Sequence, residues 1–157
     1  MEEVPPSEAQ AESFLIEAES CFEANMLEEA IRLYNEASLL FTKISGTAKS
    51  AIEIELLFAK AAYCDFMKSY CEALEHKKNV ERALMAGSHI DPGEISKLKY
   101  LVKMAEKCLR EAIMRLEKVR KKAGEDEDII DAVAEFLEMI KRKLDSFKEL
   151  KDYIEFL

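Results

Sequence analysis

Tryptophan is absent from the 157 residues, and histidine (two), proline (three) and glycine (four) are scarce. So few chain breakers leave little material for tight hairpins, and four scattered glycines build no glycine-rich phosphate loop. Two histidines, His76 and His89, carry none of the Glu-x-x-His pairs of a carboxylate-bridged di-iron bundle and set up no credible Ser/His/Asp arrangement. His76 has Glu72 one turn before it on a helix and reads as a surface contact, and His89 falls in a loop. The four cysteines, Cys21, Cys64, Cys71 and Cys108, have no CxxC spacing. Three follow an alanine by three residues, which places them on one helical stripe as packing residues rather than as thiolate zinc ligands. No cofactor and no metal are expected, and the chain reads as a non-enzyme.

Alternation of strand type never persists beyond a few residues. No apolar run approaches the roughly eighteen residues that span a bilayer, so no membrane insertion is expected. The opening MEEVPPSEAQ has neither the basic start nor the apolar middle of a signal peptide, which predicts a cytoplasmic protein. Bases are missing from the N-terminal stretch. Through Thr42 there are ten acids and one base, Arg32, whereas residues 43–157 carry twenty-two of each sign, so the net charge of −9 sits on the first forty residues. Such a surface repels nucleic acid and attracts a basic partner; it also serves solubility alone.

What remains is rich in Ala, Leu, Glu and Lys, the composition of helices joined by short turns. A chain of this length forms one domain burying roughly 70% of its unfolded surface without metal or disulfide. Pro5-Pro6 predicts that residues 1–6 stay outside the first helix. Ser7 with Gln10 reads as a capping box opening a helix over about 7–24, hinged near Asn25 to a second helix from Leu27 that ends before Gly46 in a left-handed position. Leu27, Ala30, Ile31, Tyr34, Ala37 and Phe41 form its inward face. Thr47 is expected to cap a third helix to about Lys68, and a fourth spans Ser69 to Ala86. No Gly or Pro separates those two. The turn near Lys68-Ser69 rests on Ala18, Cys21 and Ala30 recurring as Ala61, Cys64 and Ala73 at a constant offset. Gly87 to Gly93 is a loop, and Asp91-Pro92 opens a fifth helix to about Lys122. After Gly124 a sixth helix carries Ile129, Val133, Phe136, Ile140, Leu144, Phe147, Leu150 and Ile154 on one stripe. The basic run Arg115 to Lys122 meets the negative end of its helix dipole, which accounts for it without nucleic acid.

Residues 14–41 resemble a tetratricopeptide repeat, with Phe14, Ala18, Cys21, Ala30, Tyr34 and Ala37 at that family's aromatic and small positions. Residues 57–84 keep Leu57, Ala61, Cys64 and Ala73 but hold Lys77 and Val80 where an aromatic and a small residue belong. The first three helices are also similar to the microtubule-interacting-and-trafficking domain, which offers a trafficking-type alternative. Composition and stripes predict an all-α chain of about six helices ending in a long helical hairpin over 92–157, and the tetratricopeptide resemblance, which hardly extends to the last two helices, implies paired hairpins over 7–86. It implies a groove lined by Leu15, Glu19, Phe22 and Glu23 of the first helix and Phe58, Ala62, Asp65 and Phe66 of the third. The family's basic clamp for acidic C-terminal peptides is missing there, so the implied guest is a basic or amphipathic segment of another protein. These phenylalanines also suit a core. The expected function is therefore a non-catalytic interaction module or adaptor. Its alternative is a self-associating structural protein, a homodimer through Tyr100, Met114, Phe147, Tyr153 and Phe156 of the last two helices.

Overall fold

The computed structural model describes residues 7–157, and the expectation for residues 1–6 lies outside them. The described residues form five helices and no strand: α1 (Glu8–Glu23), α2 (Leu27–Ser45), α3 (Ala51–Met85), α4 (Pro92–Lys122) and α5 (Glu127–Glu155). The all-α expectation holds, with five helices in place of six.

Local chemistry sets most boundaries. Ser7 accepts from the Gln10 amide at 3.2 Å and starts α1. Asn25, at φ 59°, takes the left-handed conformation that reverses the chain into α2, a conformation asparagine tolerates better than most residues. Asp91 accepts from the Gly93 amide with Pro92 in the first turn of α4. Gly124, at φ 60°, lets the chain turn into α5, whose cap is Asp126. Two expected boundaries move. Gly46 remains right-handed at φ −67°, and the cap of α3 is Ser50, which accepts from the Glu53 amide, rather than Thr47.

The larger correction is α3 itself. Its 35 residues run without interruption through Lys68-Ser69, roughly 52 Å at 1.5 Å per residue. The second hairpin expected over residues 57–84 is therefore not formed. Nothing in the chain stops the helix there, and its C-terminal half has a partner that a folded-back hairpin would have lost. Ala73 and Val80 are fully buried, His76 and Asn79 reach Glu94 in the first turn of α4, and Lys77 lies over the Tyr153 ring of α5 at 4.8 Å.

Each helix packs on the next in sequence, and α5 returns to contact α3 as well as α4. The core thus runs along α3, with α2 and α4 flanking it. Tyr63, Phe66, Met67 and Tyr70 of α3 are almost completely buried at its centre. Each such side chain contributes about 1.5–3 kcal/mol relative to exposure.

Candidate interaction site

The eight residues expected to line a groove between α1 and α3 do not surround a hollow, because α5 lies over that face. Phe66 meets the Phe147 ring edge-on at 5.1 Å, and Tyr70 meets the same ring at 5.3 Å. Lys143 of α5 sits over Phe22 at 5.6 Å and donates to Glu19 at 3.0 Å. Leu15 and Ala62 are buried in the core. Phe58 and Asp65 turn to other neighbours: the Arg115 guanidinium of α4 stacks 5.1 Å from the Phe58 ring, and the Ser38 hydroxyl of α2 donates to Asp65 at 2.6 Å. Of the eight, Glu23 alone is exposed with no hydrogen bond or ion pair among the described residues. The α1–α3 face is thus covered by α5, an amphipathic helix with a lysine in the middle of its apolar stripe.

Two buried lysines organise this contact, and the sequence reading missed both. Lys143, 6% exposed, replaces an apolar residue between Ile140 and Phe147, while Leu144, expected inward, is 39% exposed. Its partner Glu19 also accepts from the Tyr63 hydroxyl at 2.9 Å and from the Tyr34 hydroxyl, so one carboxylate joins α1, α2, α3 and α5. Lys60, 5% exposed, lies between the Phe41 and Phe136 rings at 5.6 and 5.3 Å and donates to Glu12 at 2.6 Å and Glu8 at 2.8 Å. Burial works against its charge, but the Glu12 and Glu8 carboxylates outweigh that and hold the ammonium above its ordinary pKa. Burial pushes the Tyr34 and Tyr63 phenols far up, and the Glu19 charge adds to the shift. The available signal was the acid row Glu8, Glu12, Glu19 on one face of the first helix, which suits cations packed opposite.

An open cleft remains along the seam of α1 with α5, and Leu15, Glu19 and Glu23 of the eight expected residues are among those that line it. It measures ≈ 390 Å³. Leu15, Ile16 and Met139 give it an apolar floor, and Glu23, Glu135 and Glu138 stand at its edge. Ile16 is 66% exposed. Arg142 is the one base lining it, 4.0 Å from Glu138. Charge of the opposite sign collects on α4, which carries ten bases and four acids. There Tyr100, Lys103, Met104, Glu106, Lys107 and Arg110 line a shallow hollow of ≈ 600 Å³, with Tyr100 55% exposed and Arg110 paired with Glu106 at 2.6 Å.

Of the five residues expected to form a homodimer, Phe147 is buried against α3 and Tyr153 is half-buried under Lys77, whereas Tyr100, Met114 and Phe156 are exposed. Cys64 and Cys71 are buried, and burial raises both thiols, that of Cys71 to about 12, which keeps them protonated and unreactive. His76 pairs with Glu94 rather than Glu72. Among the described residues no three His, Cys, Asp or Glu side chains converge as a metal-binding group, and no helix is long and apolar enough to cross a membrane. The chain matches no protein-family model, no curated protein and no solved structure.

Proposed function

We propose that this protein is a non-catalytic interaction module whose cleft between α1 and α5 takes a basic amphipathic segment. The observation that carries the reading is the combination in one place of an exposed isoleucine, Ile16, with acids that are not consumed by the fold. Glu8, Glu12 and Glu19 are already engaged by Lys60 and Lys143, so they hold the molecule together rather than recruit a ligand. Glu23 and Glu135 make no ion pair among the described residues and face the cleft. An apolar stripe laid on Ile16 and Met139, flanked by lysines meeting these acids, is the helix-in-groove mode of recognition. The adaptor expectation therefore moves from the α1–α3 face to the neighbouring α1–α5 seam.

The test uses a synthetic Lys/Leu amphipathic helix labelled for fluorescence anisotropy, against the same peptide with glutamate in place of lysine. Wild-type protein binds the basic peptide and not the acidic one. Glu135→Lys with Glu138→Lys weakens binding at least tenfold, while Glu28→Lys with Glu36→Lys, an equal charge change on the exposed face of α2, weakens it far less. Equal losses in the two variants would mean attraction by bulk charge and would end the cleft reading.

A further inference from the structure

The chain carries a surface of the kind the cleft requires. Along α4, Tyr100 and Met104 form a short apolar strip, and Lys103, Lys107 and Arg110 follow it at helical spacing. Tyr100, Lys103, Lys107 and Arg110 are exposed, and Lys103 and Lys107 make no ion pair among the described residues. This face is a preformed basic amphipathic helix, held in shape by the packing of α4 on α3, so it docks without the entropy cost of folding a free peptide. We infer that the occupant of the α1–α5 cleft is the exposed α4 face of a second copy of this chain. The inference rests on the reading of the cleft given above.

Charge complementarity selects this occupant. Within α1 there are five acids and no base, and α5 carries nine acids and five bases, against the strongly basic α4. The two surfaces are different patches of the molecule, so the contact is heterologous: each copy offers α4 to one neighbour and its cleft to another, which builds open chains or a ring rather than a two-fold dimer. The row from Tyr100 to Arg110 spans roughly 15 Å, a small and largely polar contact. Association is accordingly weak, reversible and sensitive to salt.

Sedimentation velocity on the full chain tests this, over roughly 10 µM to 1 mM protein. The mean mass is expected to rise past that of a dimer at the upper end in about 0.1 M salt, and to return to monomer in about 1 M salt, where the screening length falls from about 10 Å to about 3 Å. Lys103→Glu with Lys107→Glu, and separately Glu135→Lys with Glu138→Lys, each reduce association at least tenfold while far-UV circular dichroism stays unchanged. An equimolar mixture of the two variants associates again, because the unaltered α4 of one meets the unaltered cleft of the other and the two reversed surfaces complement each other. A monomer at every concentration, association untouched by either pair, or a mixture that stays monomeric would each overturn the inference. The Lys103→Glu/Lys107→Glu protein also receives the Lys/Leu peptide. If it binds while wild type does not self-associate, the cleft reading survives and this inference falls; if it does not bind, both fall.

Discussion

Two lysines occupy the interior of this protein, and their partners differ in a way that predicts unequal costs when each cluster is broken. Lys60 donates to Glu8 and Glu12, whose side chains keep 53% and 34% of their exposure and can rehydrate if the ammonium is lost. Methionine fits between Phe41 and Phe136, so Lys60→Met is expected to cost less than about 1 kcal/mol. Glu19 keeps 17% exposure and gathers Lys143, Tyr34 and Tyr63. Glu19→Ala leaves two phenols and a buried ammonium without their acceptor and is expected to cost about 3–5 kcal/mol. Urea denaturation of the two variants checks this; comparable losses would show that the carboxylate does not organise the four helices.

At the scale of elements, the decisive feature is the continuity of α3. A turn at Lys68-Ser69 would accommodate a proline, whereas inside a helix proline removes a hydrogen bond and clashes with the preceding turn. Ser69→Pro is expected to lower stability by about 3 kcal/mol or more. A thermal melt close to that of wild type would restore the broken helix. The same continuity explains why α5 can cover α1 and α3 together. An uninterrupted α3 presents Tyr63, Phe66 and Tyr70 to Phe136 and Phe147 of α5, while Lys143 of α5 reaches Glu19 of α1.

For the whole molecule, the buried phenols, the buried Cys64 and Cys71 thiols and Lys60 make stability depend on alkaline pH in one direction. Each has a folded pKa raised above its unfolded value, so its contribution is complete below the unfolded pKa and disappears as pH climbs through the folded one. The ordinary tyrosine value is about 10, so at about pH 11 Tyr34 and Tyr63 each forfeit up to about 1.4 kcal/mol. The melting temperature is expected to fall by at least about 5 °C between about pH 9 and about pH 11. Tyr34→Phe should flatten that slope by its own share, up to about 1.4 kcal/mol at about pH 11. A flat profile over this interval would contradict the burial of both hydroxyls against Glu19.

Helix class, the loop at Gly87–Gly93, the caps Ser7 and Asp91 and the reversal at Asn25 were legible in the residues, because each depends on chemistry within a few positions along the chain. Lys68-Ser69 was misread because alanine and cysteine spacing describes a buried stripe equally well in one long helix or two short ones. Lys143 was misread in favour of Leu144, since both fit a spacing of three and four and only the position of Glu19 across the core makes the lysine the inward residue. The acidic character of α1 was plain in the sequence, but which acids remain free was decided by tertiary packing: Lys60 and Lys143 claim Glu8, Glu12 and Glu19, and leave Glu23 and Glu135 to the cleft. Local propensity determines where the chain coils. The pairing of charges distant in sequence determines which surface is left open.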